Sequence, residues 1–250
     1  MRRLLLIGVG TGDPSFVTMQ AIAALNAADV FFVFDKGEEK AELVAVRKAI
    51  CDRYVTRDYQ LVAIANPPRE EEGGYREGVD AWHEARAALL REALAEHVPD
   101  GGCGAFLVWG DPAIYDSTLR VVNRALAGSV LQAKIEIIPG ISSVQILAAR
   151  HKIGLNEIGA PVHITTGRQL KAHGLPEPGV SVVVMLDGDL ACRDFLGQGL
   201  TIYWGAALGS ADEVLVAGPL DGVIGDIVAA RARLKAAHGW VMDTYLLRRT

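Results

Sequence analysis

Short apolar runs alternate along this chain with longer stretches of three-to-four-residue period, and that alternation predicts parallel strands covered by helices. Leu4 to Gly8 reads as a strand, Thr18 to Ala28 as a helix with Met19, Ile22, Ala23 and Leu25 facing inward, and Val30 to Phe34 as a second strand. A helix over Glu38 to Ile50 and a strand over Tyr59 to Ala65 follow, then a polar, proline-marked loop from Asn66 to Gly74. The period predicts a long helix over Tyr75 to His97, its inner stripe Val79, Trp82, Arg86, Leu89 and Ala93, with Glu84, Arg91 and Glu92 on the wet side. Ala105 to Trp109 is the next strand, Asp116 to Ala127 a helix capped by Asp116 or Ser117, and Lys134 to Ile138 a strand that stops at Pro139-Gly140.

Beyond that point the pattern changes. Ser142 to Arg150 and Val223 to Ala236 read as helices. Strands are predicted at Val162 to Thr165, Val180 to Leu186, Leu200 to Trp204, Val214 to Ala217 and Trp240 to Leu247. The second half is therefore richer in strands and poorer in helices. We expect two α/β domains, residues 1–139 and 140–250.

Composition narrows the function. Half of the 250 residues are hydrophobic and 22% are charged, the profile of a folded globular chain. A formal charge of -5 argues against nucleic acid as a partner. Cys51, Cys103 and Cys192 lie far apart, which suits a reducing compartment and buried thiols better than a disulfide framework. The apolar start from Leu4 to Ile7 is cut by Gly8 too early for a signal peptide, and no run approaches a membrane span, so a cytoplasmic protein is expected. His83, His97, His151, His163, His173 and His238 show no ligand spacing, so no metal is expected.

Three loops carry candidate chemistry. Gly8-Val9-Gly10-Thr11-Gly12-Asp13-Pro14 lets backbone approach a ligand, or simply makes a tight turn. A dinucleotide fingerprint needs a third glycine where Asp13 stands, although Asp35 imitates the ribose-binding acid; a phosphate loop lacks its Gly-Lys-Ser/Thr. Trp109-Gly110-Asp111-Pro112-Ala113-Ile114-Tyr115 follows a buried strand, at the end where open α/β sheets place ligands. Pro139-Gly140-Ile141-Ser142-Ser143 offers hydroxyls at a helix start, or mere N-capping.

In this order the three loops together resemble the tetrapyrrole methylase family over essentially the whole chain. Phe34-Asp35-Lys36-Gly37, Tyr115 to Arg120 and Gly239 to Tyr245 resemble the branch of aerobic cobalamin synthesis that methylates a corrin-ring carbon and releases acetate. The resemblance implies two α/β domains with S-adenosylmethionine folded into the cleft between them and released as S-adenosylhomocysteine. Trp109, Gly110, Asp111 and Ile114 would line this cofactor, with Gly10 and Thr11 nearby; family members usually have proline where Thr11 stands. Ser142 and Ser143 would bond its polar ends, Leu186 would contact adenine or ribose, and Ala207 and Leu208 would close the far side. Asp13, Lys36 and Arg120 would meet the polycarboxylate precorrin, with Arg124, Arg150, Lys152 and Arg168 as further cations, and Asp35 is the preferred catalytic acid or base. A homodimer is expected by analogy. A sister methylase acting on another ring carbon, a diphthine synthase-like methylase, a nicotinamide oxidoreductase and a non-catalytic corrinoid carrier are the competing readings.

Overall fold

A computed structural model describes residues 1–35, 41–68 and 75–249. By density of internal contacts the chain divides into two compact units, Met1–Ser142 and Ser143–Thr250.

The first unit is a parallel sheet of β1 (Arg2–Gly8), β2 (Val30–Asp35), β3 (Gln60–Ala65), β4 (Cys103–Val108) and β5 (Ala133–Ile138), in the order β3-β2-β4-β1-β5. Its inner strands β1, β2 and β4 are buried on both faces and read as continuous apolar runs, whereas the outer strands β3 and β5 are partly exposed. On one face Leu4, Leu6, Phe32, Phe34, Phe106 and Val108 pack beneath α3 (Tyr75–His97) and α4 (Thr118–Leu126). On the other, Leu5, Ile7, Phe31, Ala105 and Leu107 meet α1 (Met19–Ala27) and α2 (Ala41–Tyr54).

Two predicted helix faces are right in part. In α1 Leu25 is buried and Ile22 packs against the core as expected, but Met19 is 81% exposed and Ala21 is buried, its amide donating to the cap Thr18 at 3.1 Å. In α3 Arg86 is buried and Leu89 and Ala93 pack against the core as expected, while His83, Ala87, Leu90 and Leu94 are the other buried side chains. Arg91, expected in water, donates to the Ala125 carbonyl of α4 at 2.9 Å. Residues 36–40 and 69–74, which include the expected start of α2 and part of the polar loop, lie outside the described residues.

The second unit holds a mixed sheet, β6-β7-β10-β8-β9, of β6 (Val162–Thr166), β7 (Ser181–Met185), β8 (Leu200–Ala206), β9 (Val214–Pro219) and β10 (Asp243–Arg249). β10 runs antiparallel to both β7 and β8. One face carries Trp204, Tyr245, Val182 and Val184 under α6 (Gly167–His173), the 3-10 turn Ala191–Phe195 and α7 (Leu220–His238). α5 (Ser143–His151) covers the other, so closely that a Cβ on Gly205 would lie 2.9 Å from Leu147. The sequence pattern does not predict α6. Its only buried side chain is Leu170, too little for an amphipathic signal, and Thr166 caps it by accepting from the Gln169 amide at 3.3 Å.

Candidate functional site

β4, β1 and β5 are neighbours and parallel, so the loops that follow them share one edge of the first sheet. They are knitted there through backbone. Gly10 and Gly110 form an antiparallel bridge, with Gly110 N donating to Gly10 O at 2.8 Å and Gly10 N to Gly110 O at 3.3 Å. A Cβ on Gly140 would lie 2.1 Å from Gly110 O, and one on Gly8 2.5 Å from Gly140 N. Asp111 completes the lock: its carboxylate accepts the Ala113 amide at 2.7 Å and the Gly140 amide at 2.8 Å. Two of these glycines are thus required by loop-to-loop contact, a role the glycine spacing alone does not disclose.

The structure brings Gly10, Thr11, Trp109, Gly110, Asp111, Ile114 and Ser142 to this edge, with Thr11, Gly110 and Ser142 buried and Trp109, Asp111 and Ile114 half-buried. Gly110 has φ +67°, a conformation that favours glycine, and a Cβ added to it would meet Ser142 Cα at 3.6 Å, an ordinary contact. Asp13 caps the 3-10 turn Pro14–Phe16 by accepting the Ser15 amide at 2.8 Å. The glycines therefore lead into a 3-10 turn, and α1 starts only at Met19. A pyrophosphate would lack the helix N-terminus that a dinucleotide fold puts beside its glycines. A loop bearing carboxylates and no cation suits a positively charged or neutral ligand better than a phosphate.

In the second unit Leu186 and Ala207 follow β7 and β8, whose carboxyl ends flank the start of β10 on one edge of the sheet. Both have left-handed backbone, φ 51° and 50°, and Leu186 is 65% exposed. Such conformations cost about 1–2 kcal/mol per non-glycine residue and concentrate at ligand sites. Ala207 is held by its amide on the Met242 carbonyl at 2.9 Å, and Leu208 is buried beside it. Ser143 reaches the same edge, where its hydroxyl accepts from Thr244 Oγ1 at 2.9 Å.

Cations collect over the carboxyl end of β2. Arg86 of α3 stacks on Phe34, its guanidinium carbon 3.8 Å from the ring centroid, and on Trp82 at 4.4 Å. Burial pushes it down to about 10, with Asp116 opposing. Arg47 of α2 donates to the Leu107 carbonyl at 2.9 Å, and burial lowers it too. His83 lies below the ordinary imidazole value through burial, then through Arg124, Arg86 and Arg120. Sequence reasoning singles out neither Arg47 nor Arg86 as a ligand-binding cation. The signal available is a charged residue on the apolar stripe of α3.

Of the other expected site residues, Asp35 ends β2 opposite Ala65, and Lys36 lies outside the described residues. Arg120 is exposed; Arg124 is tied to Asp80 at 2.6 Å and Arg150 to Glu213 at 2.8 Å. Lys152 and Arg168 are exposed in the second unit. Among the described residues no group of three His, Cys, Asp or Glu side chains is placed to hold a metal ion.

The family model for tetrapyrrole (corrin/porphyrin) methylases matches residues 3–224. The chain belongs to the tetrapyrrole methylases. It is 47% identical to a precorrin-6A synthase [deacetylating] of a Sinorhizobium species, over 100% of this chain and 96% of that one. The crystal structure of a cobalamin-synthesis-related protein (CobF) of Corynebacterium diphtheriae superposes with a TM-score of 0.85 at 39% identity, covering 100% and 99% of the two chains. The uroporphyrin-III C-methyltransferase of Thermus thermophilus complexed with S-adenosyl homocysteine matches at TM-score 0.56 and 19% identity over 98% and 92%, a likeness of fold alone.

Proposed function

We propose that this tetrapyrrole methylase is an S-adenosylmethionine-dependent C-methyltransferase of cobalamin synthesis that methylates precorrin-5 at C1 and releases acetate, giving precorrin-6A. The observation that carries this reading is the full-length 47% identity to a precorrin-6A synthase [deacetylating]. The loop chemistry agrees with it. A sulfonium donor is cationic and has no phosphate, and the loops after β1 and β4 offer main-chain groups and carboxylates rather than cations.

The donor supplies a methyl group that is already electrophilic. The work left to the protein is alignment of that methyl with the ring carbon, which provides roughly 7–11 kcal/mol when geometry is held near attack. Main-chain groups of Gly10, Thr11, Trp109, Gly110 and Ile114, with Ser142 and Ser143, hold the donor, and Leu186, Ala207 and Leu208 contact it. Asp111 lines the donor as well and fixes the loops, each of its oxygens accepting one amide and keeping a free lone pair. Asp13, Lys36 and Arg120 meet the precorrin. Asp35 takes a proton from the water that adds to the acetyl carbonyl; the bond from acetyl to ring carbon then breaks, acetate leaves with the water oxygen, and the electron pair left on the ring carbon takes the methyl from sulfur.

We place the protein in the cytoplasm, as a homodimer; among the described residues no helix is long and apolar enough to cross a membrane. Light scattering at micromolar protein tests the dimer, and a monomer mass would contradict it. Calorimetry with S-adenosylmethionine and S-adenosylhomocysteine tests the foundation: one site per chain is expected for each, and absence of heat from both would overturn the reading.

A further inference from the structure

Arg86 is 5% exposed, yet among the described residues no carboxylate lies within ion-pair distance of it. Its Nη1 donates to the Ser117 hydroxyl at 3.1 Å, while its Nε is buried with no hydrogen-bond partner. The two aromatic rings that cover it, Phe34 and Trp82, attract a cation but are not charges. Buried guanidinium groups are ordinarily paired and hydrogen-bonded, because an unpaired charge away from water is costly. The local geometry also shows an accommodation to Arg86. Ser117 occupies the cap position of α4 but makes no capping bond; its hydroxyl serves Arg86, and Asp116 takes the Thr118 amide at 2.6 Å in its place.

The surroundings repeat the theme. Arg120 is exposed without an ion pair among the described residues, and the charges of Arg124, Arg86 and Arg120 all bear on His83. Asp80 is consumed by Arg124. A second buried polar atom without a partner, Asn66 Oδ1, sits on the same cluster: Trp82 donates to the neighbouring Pro67 carbonyl at 2.9 Å. Phe34 and Asn66 stand at the carboxyl ends of β2 and β3, the edge where open parallel sheets bind ligands.

We propose that Arg86 is a substrate-binding residue whose guanidinium edge receives one carboxylate of the tetrapyrrole. This rests on the function proposed above. A carboxylate there supplies a counter-charge in contact, where the fold offers only Asp116 from beyond ion-pair distance, and an acceptor for the unused N–H, while Ser117, Phe34 and Trp82 hold the planar group in place for it.

Titration of the full-length protein with precorrin-6A, followed by its absorbance, tests this in the wild type, Arg86→Lys and Arg86→Gln, with S-adenosylhomocysteine calorimetry on the same samples. Loss of a charge-assisted bond predicts precorrin-6A binding weakened roughly ten- to a hundredfold in both variants, with S-adenosylhomocysteine affinity kept. For precorrin-5 turnover the predicted change is a raised KM with kcat little altered. Folded variants that bind precorrin-6A as the wild type does would reduce Arg86 to a packing residue and overturn the proposal. Should either variant fail to fold, the arginine side-chain 15N spectrum of the wild type decides. A buried Nε–H resonance that moves on adding precorrin-6A supports the proposal, and an unmoved spectrum overturns it. A wild type that binds S-adenosylhomocysteine but not precorrin-6A defeats this inference alone; one that binds neither defeats the functional reading with it.

Discussion

At the scale of single residues, close approach of backbone accounts for two glycines of the loops after β1 and β5, Gly8 and Gly140. Gly140 has no room for a methyl group, since its Cβ would stand 2.1 Å from the Gly110 carbonyl oxygen. Neither partner is a flexible side-chain end, so Gly140→Ala must push β5's loop from β4's. A loss of about 1–3 kcal/mol, the usual range for overpacking, is expected in urea unfolding. A Gly140→Ala protein as stable as the wild type would show that the loops are not interlocked as described. His83 makes a pH prediction. Burial first, then Arg124, Arg86 and Arg120, with Asp80 opposing, keep its folded value below the ordinary 6.5. The unfolded chain therefore takes up the proton first. The stability this residue gives is complete above the ordinary value and is lost as pH falls below it towards the folded value. The drop in Tm between roughly pH 7.5 and 5.5 should be smaller in His83→Gln than in the wild type; equal drops would contradict the assignment.

At the scale of elements, the sequence pattern discloses strands better than helix faces. Every predicted strand is present, because buried parallel strands such as β4, with Cys103 to Val108 all buried, are unbroken apolar runs. Helix phase is harder to read. Alanine-rich segments like α1 carry little contrast between faces, and the phase is fixed by a cap and by which side chains the sheet can accept. On α3 the buried face includes Arg86, which the period places on the inner stripe, and His83, which it does not nominate. α6 escapes because it buries so little. The glycine and Gly-Asp-Pro loops are legible as candidates because they end strands; the roles of Asp111 and Gly140 as fasteners depend on which strands are neighbours, which is a property of the sheet order. One further element junction is invisible in sequence. Asp243, at the start of β10, is buried and accepts from Trp204 Nε1 at 2.8 Å and from Arg231 of α7, which also donates to the Gly188 carbonyl at 2.8 Å. Asp243→Ala leaves Arg231 half-buried and unpaired, and the expected cost is about 3–5 kcal/mol, read by urea unfolding. A cost below about 1 kcal/mol, the value of an exposed pair, would contradict that role.

At the scale of the molecule, a net charge of -5 coexists with an arginine-rich patch over the carboxyl end of β2. Net charge therefore says nothing against a small polycarboxylate as the substrate. The account of function turns on coupling methyl gain to acetyl loss. Its most direct test is incubation of the purified protein with precorrin-5 and S-adenosylmethionine carrying a labelled methyl, with mass measurement of the tetrapyrrole and assay of acetate. One labelled methyl gained and one acetate released per turnover are predicted, with both slowed about 10²–10⁴-fold in Asp35→Asn. A methylated product that keeps its acetyl group, or no methylated product at all, would contradict the account.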